Sequence, residues 1–493
     1  MNAPSCTLIR GGDIIAFDGH QHRLIENGVV AFAGDTIVQV GRSYVGPVAE
    51  TIDASGMLVI PGQISAHAHV SAQEGSRLLI DGGRRDFFRS GFLNYVPTRL
   101  GGGPSFLQAG DACASLRFGM ASLVRHGITT VVPFAPGGPD NGALMVRTAG
   151  EFGLRVYYSP FATGGRYQFD QSGNVTQVWD EPSAIRSLEL AADFIRRHDG
   201  ANGGRFHGIV TIDEFYLSTA EIRRKAREIA GQLGRGITLH CSEQLSEFHE
   251  TVRRTGKTPV GLLDAEGFLG PGTILAHCLY VSGHSAVAYP YGDDLALIAR
   301  AKASVAHSPL AFSRRGGALE SFQRYLDAGI NMALGTDTYP LDMFAEMRTA
   351  SAVCKIIEKN HESANALDVF TASNLGGARA LGREDLGRLS PGAKADIVLV
   401  DFGSLAIGPV ADPIRTLVHL ATPDMVDTVI VDGTPLMRGK HLLVCNEHEV
   451  NEAARATAKR VWSHFPEYDW AGRTVEQAFP PAITRWEEPP PHA

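Results

Sequence analysis

Between residues 58 and 337 the chain repeats one pattern, a short apolar run followed by a longer segment with helical spacing. The runs are LVIPGQI (58–64), GITTVVPF (127–134), LRVYYSPF (154–161), FHGIVTID (206–213), GITLHC (236–241), TILAHC (273–278), ASVAHS (303–308) and INMALGTD (330–337). Continuous apolar runs of this length suit strands covered on both faces, as in a parallel sheet. Intervening stretches such as STAEIRRKAREIAGQLG and ALESFQRYLDAG close on Gly, the residue that most readily takes the left-handed conformation at a helix end. Eight strands alternating with helices predict an α/β fold, a (β/α)8 TIM barrel.

The two ends of the chain have another texture. TLIRGGDIIAF, NGVVAFAGDTIVQVG and TIDASG near the N-terminus are Val/Ile-rich segments broken by Gly-Asp and Asn-Gly, the signature of short antiparallel strands and tight turns. GRLSPGAKADIVLVDF and MVDTVIVDGTPLMRGKHLLV repeat that texture near residues 387–445. The expected organisation is a small β-sandwich built from both termini (1–57 and 386–445) around the barrel (58–385), then a helix and Pro-rich tail (446–493). The segments 70–108 and 162–182 do not fit the repeat and follow strand ends, where barrel loops build an active-site mouth.

Composition excludes several classes. The net charge of −8 is spread without long like-charge blocks, which argues against a nucleic-acid partner or a polybasic membrane anchor. No apolar run approaches the ~20 residues that span a bilayer, and the N-terminus lacks the basic start and apolar core of a secretory signal. Cys6, Cys113, Cys241, Cys278, Cys354 and Cys445 form no C-x-x-C pair, so a disulfide framework or thiolate zinc site is not expected. A cytoplasmic homo-oligomer acting on a small molecule is the expectation, with no nucleic acid and no membrane.

Four of the runs end in residues that bind or assist a metal. His67 and His69 close the first, His240 the fifth, His277 the sixth and Asp337 the eighth. Side chains two apart on a strand point the same way, so His67 and His69 can grip one ion from one side. A barrel brings the C-terminal ends of its strands to one face. Imidazoles with one carboxylate suit Zn2+, with Fe2+ the alternative, and such an ion lowers the pKa of bound water to about 7. Glu243, three residues after His240, is placed to move a proton to a leaving nitrogen, while His277 polarises the substrate or orients water. Asp337 can both bind the metal and accept a proton.

The order HAH, HCSE, AHC, GTDT resembles the amidohydrolase superfamily, in particular its cytosine-deaminase-like branch of triazine hydrolases and guanine deaminase. IPGQISAHAH at the sheet-to-barrel junction and GRLSPGAKADIVLVD with VDGTPLMRGK at the return extend the resemblance over about residues 5–445. It implies a single divalent ion held by His67, His69, His240 and Asp337, with Glu243 as proton shuttle and His277 hydrogen-bonded to substrate or water. Binuclear relatives carry a Lys after strand 4. Here IVTIDEF has none, although Asp213 and Glu214 leave a carboxylate-bridged second ion open. The implied reaction is hydrolysis of a non-peptide carbon–nitrogen bond, deamination of a heterocycle first, with cyclic-amide opening or dechlorination as alternatives. A scaffold that has lost catalysis is a further alternative, opposed by the retained ligand set.

The chain departs from that branch after its seventh run. His307, Ser308 and Pro309 stand where His-Cys-Pro is usual, but Ala311 and Phe312 replace a Ser-Asn pair that seats a planar ring. Arg84, Arg85, Arg314 and Arg315 read first as a solvated face and second as a site for an anionic group. Cys241 and Cys278, next to key histidines, point away from the site and pack in the wall. Met343 and Met347 read as helix packing, and Glu447-His448-Glu449 as surface.

Overall fold

The structure is a computed structural model, and it describes residues 6–71, 73–79, 109–135, 139–169, 172, 175–469 and 471–486. Eight parallel strands form the barrel: β1 (Gln63–Ala68), β2 (Ile128–Pro133), β3 (Arg155–Tyr157), β4 in two pieces (Phe206–His207 and Val210–Glu214), β5 (Ile237–Cys241), β6 (Thr273–His277), β7 (Ser304–His307) and β8 (Asn331–Leu334). Every residue of β1, β2, β5 and β6 is buried, which is why these runs are apolar without alternation. The first and last strands meet past their ends. His69 N donates to Asp337 O at 2.6 Å and Thr336 N to His67 O at 2.9 Å, and Ala68 pairs in parallel with Asp337.

The helices behave as their spacing predicts. Ala220–Leu233 buries Ile222, Ala226, Ile229 and Ala230, one stripe at the helical repeat. Thr219 caps its N-terminus by accepting from Ile222 N, and Gly234 ends it at φ 61°.

The run 58–64 is two strands, not one. Met57–Pro61 pairs with Cys6–Phe17 and Ile397–Asp401 in the terminal sheet, and only from Gln63 does the chain join the barrel. Gly62 marks the break: a Cβ there would lie 2.1 Å from Thr129 Oγ1, so only Gly lets the chain pass this close to β2. A local apolar pattern does not register such a change of sheet.

The termini together build the second unit. Its path runs His441–Leu442, Thr434–Arg438, Val426–Val431, Ile397–Asp401, Met57–Pro61, Cys6–Phe17, His22–Ala33, Thr36–Gly41, with Val48–Asp53 also on Cys6–Phe17. Its inner faces close on a shared core that includes Ile9, Ile14, Val30, Phe32, Leu399 and Ile430. Barrel and sheet are tied by Arg155, whose guanidinium meets Asp396 at 3.3 Å and Asp432 at 2.5 Å with its side chain 1% exposed. Removing one partner of a buried ion network strands the others. Arg155→Leu is therefore expected to cost about 3–5 kcal/mol, read as a fall in the denaturant midpoint against wild type. An unchanged midpoint would show that the two carboxylates take up protons at no cost.

Other segments are better defined than their sequence suggests. Within 162–182, Gly165–Phe169 and Val175–Trp179 form an antiparallel hairpin. The tail opens with the helix Glu447–Ser463, capped by Asn446, with Glu447, His448 and Glu449 exposed. Most of 70–108, with Arg84 and Arg85, lies outside the described residues. No described helix is long and apolar enough to cross a membrane.

Candidate metal centre and active site

The strand ends converge as a barrel demands. His67 sits in β1 and His69 just past it, His240 in β5, His277 at the end of β6, and Asp337 three residues beyond β8. His69 Nε2 lies 3.2 Å from His240 Nε2 and 3.5 Å from Asp337 Oδ1, which is 3.8 Å from His67 Nε2. Donors ~2.1 Å from a tetrahedral ion lie ~3.4 Å from one another. The observed spacings bracket that value.

The nitrogens also lack any other use. Both ring nitrogens of His67 and of His277 are buried without a hydrogen-bond partner, a costly state for a polar group in a core unless a ligand takes the lone pair. His240 Nδ1 is turned to the Asp213 carbonyl, which leaves its Nε2 lone pair facing His69. Donor atoms of His67, His240 and His277, and of His67, His69 and Asp337, each fall within 4.8 Å. This set fits a divalent ion. Asp213 and Glu214 make a third group with His240, but the His240 Nδ1 it would use is already committed.

The sequence profile of the amidohydrolase family matches residues 58–436. The chain belongs to that family. It is therefore a hydrolase of non-peptide carbon–nitrogen bonds that works on small molecules with a divalent metal. The amidohydrolase is 27% identical over 441 residues to the 5'-deoxyadenosine deaminase of Methanosarcina acetivorans, covering 89% of this chain and 94% of that one. Its fold matches an adenosine deaminase from Xanthomonas campestris with bound zinc (TM-score 0.78, 21% identity, 94% of this chain and 100% of that one). It also matches atrazine chlorohydrolase from Arthrobacter aurescens with zinc (TM-score 0.76, 22% identity, 92% and 100%).

Burial sets the electrostatics of the amidohydrolase site. It pushes His69 down to about 4, helped by Arg315, and His240 to about 3, helped by His69. His67 and His277 are held well below the usual range by burial and then by neighbouring imidazoles. All four are neutral near pH 7, the state that donates to a metal. Burial raises the carboxyls of Asp337 and Glu243, with the Asp337 charge adding to the rise at Glu243. Glu243 is 2% exposed, its Oε1 is 3.9 Å from His277 Nε2, and its Oε2 has no partner.

The backbone at these strand ends is held out of its ordinary range. Ser242, His277, Cys278 and Asp337 have φ of 52°, 77°, 45° and 48°. Non-Gly residues there cost about 1–3 kcal/mol each, and such conformations gather at sites whose geometry the surroundings enforce. The cysteines beside the histidines are buried, and Met343 and Met347 are core residues of the helix Met343–Glu358.

Three supporting residues escape a reading of the sequence. Glu247 is buried and accepts from the backbone N–H groups of Ser242 and Glu243 at 2.8 Å and of Gln244 at 3.4 Å, which fixes the turn that presents Glu243. Its one local sign is the Gln244–Glu247 capping-box spacing. Gln73 Nε2 donates to His69 O and Thr338 O, both at 2.7 Å, and so ties the loops after β1 and β8. Phe134 packs its ring 4.5 Å from His67 and 4.6 Å from His240. Nothing in the sequence around Gln73 or Phe134 marks them.

Proposed function

We propose that His67, His69, His240 and Asp337 hold one divalent ion, zinc before iron, and that the enzyme deaminates a nitrogen heterocycle. The observation that carries this reading is Glu243, a buried carboxyl with a free oxygen, 3.9 Å from His277 of the donor cluster. A divalent ion in that cluster supplies Lewis acidity and lowers the pKa of water to about 7. Glu243 takes a proton from the attacking water and hands it to the leaving amine. His277, neutral and within reach of Glu243, hydrogen-bonds the substrate's ring or the water and orients the attack. Asp337 accepts the second water proton as the tetrahedral intermediate collapses and gives it up to the ring nitrogen of the product, so that lactam and ammonia leave and both carboxylates are regenerated. The Phe312 ring, 4.8 Å from His277, offers a planar substrate an apolar wall, and Phe134, buried against His67 and His240, helps to exclude water from behind the donors.

The likeness to 5'-deoxyadenosine and adenosine deaminases supports a purine-type ring. The test is a panel of purines, pyrimidines, pterins, triazines and cyclic imides, offered to metal-analysed protein and read by ammonia release and product mass. Ammonia with a one-dalton gain is expected, from protein carrying one metal per chain. A ring-opened carboxylate or released chloride would replace deamination by another reaction of the same site. Protein that takes up no zinc, iron or manganese would end the metal-hydrolase reading.

A further inference from the structure

The loops after β1 and β7 bring three guanidiniums, and the loop after β8 an aromatic ring, to the face of the barrel that carries the candidate metal donors. Arg77 Cζ lies 5.2 Å and Arg314 Cζ 4.5 Å from the centre of the Tyr339 ring, two residues beyond Asp337. The two cations are thus no more than ~10 Å apart, about one Debye length at 0.1 M salt. Arg314 also donates to Tyr339 O at 2.6 Å. Arg315 rests 5.7 Å from the Phe312 ring, which itself packs edge-on against His277. Among the described residues neither Arg77 nor Arg314 has a carboxylate within ion-pair distance, whereas Arg117 and Arg223, which also rest on aromatic rings, are each paired with a glutamate.

A guanidinium cannot shed its charge, and its planar fork matches carboxylate or phosphate oxygens. Two such groups held on one ring repel until an anion joins them. The protein carries a net charge of −8, so a basic rim is a local exception, and local potential of this sign draws anions into a cleft. Where related hydrolases offer Ser-Asn to a neutral ring, this chain offers Ala311 and Phe312 and follows them with Arg314-Arg315.

We propose that Arg314 and Arg315, with Arg77, bind an anionic group on the substrate, so that the enzyme's substrate is an amino-heterocycle bearing a carboxylate or phosphate remote from the carbon attacked. The proposal rests on the deaminase reading of the same site. The Arg315 charge also reaches the centre, where it opposes the rise at Glu243 and Asp337, so offsetting those carboxylates is the competing role.

Matched probes separate these roles: adenosine-5'-carboxylate against its carboxamide, adenosine 5'-monophosphate against adenosine, and pterin-6-carboxylate against 6-methylpterin. Ammonia release is measured on wild type and on R314A/R315A, and binding by calorimetry on zinc-loaded Glu243→Gln with and without the same two changes. The acid member of an accepted pair is expected to lead by about tenfold or more, the worth of one or two charge-assisted hydrogen bonds. The lead should lie in KM, collapse in R314A/R315A, and return in part with R314K/R315K. The carboxylate and phosphate pairs tell the two anions apart. Acids that bind without ammonia release would keep the anion site and end the deaminase reading; ammonia from neutral members alone would do the reverse. A lead that survives in R314A/R315A, a failure of every acid to bind, or a variant that only shifts the pH profile of both members equally would overturn the proposal.

Discussion

Glu243→Gln should lower kcat by about a hundredfold to ten-thousandfold, the range of a lost general acid–base, while the metal content stays at the wild-type level. Gln keeps the shape and the hydrogen-bonding oxygen of Glu but cannot carry a proton between water and leaving nitrogen. The fold should be unaffected, because the turn that presents residue 243 is held through its backbone by Glu247. Metal loss in this variant would make Glu243 a ligand instead, and near-normal turnover would remove it from the mechanism. The pH profile adds a check. Burial and Asp337 hold the Glu243 carboxyl well above its ordinary value, and only the ionised form can take a proton. The acid limb of activity in wild type is therefore expected above ~4.5, the usual Glu range, and Glu243→Gln should lack it. Bound metal pulls this limb downward by its positive charge, so metal-loaded protein is the form to titrate.

Asp337→Asn should abolish turnover, by about a thousandfold or more, and weaken zinc binding in chelator competition. Asn retains one oxygen donor but not the charge that offsets a divalent ion, and it cannot accept a proton. The structural links of this residue are made by its main chain, His69 N to Asp337 O and Asp337 N to His67 O. The far-UV circular dichroism should accordingly match wild type. Unchanged activity would take Asp337 out of both proposed roles. Loss of the folded signal would mean that its buried carboxylate supports the β1–β8 closure as well as the chemistry.

The two substitutions probe unequal kinds of knowledge. His67, His69, His240, His277 and Asp337 stand out in the sequence because each ends an apolar run, and a barrel collects such ends whatever its loops do. Glu243 is visible only by its spacing from His240. Glu247 shows locally only as a capping-box acid, which does not reveal that it fixes the turn carrying Glu243, and Gln73 is not visible in role because the Thr338 carbonyl it holds comes near only on folding. The run 58–64 misleads for a related reason. Residues 58–61 and 63–64 are all buried and run on without a break in the apolar pattern, yet one side of Gly62 belongs to the terminal sheet and the other to the barrel. The arginines invert the bias of sequence reading: a pair of them looks like a solvated face until their neighbours are known.

The sequence by itself determined the alternating α/β architecture, the β-rich ends and which side chains close the strands at the candidate metal centre, because hydrophobic period and strand-end residues are local properties. Tertiary structure alone decided the closure of β1 on β8, the burial that keeps four imidazoles neutral and raises Glu243, and the gathering of Arg77, Arg314 and Arg315 near Tyr339. Those depend on distance and dielectric between residues remote in the chain, and Coulomb and desolvation energies have no meaning until such distances exist.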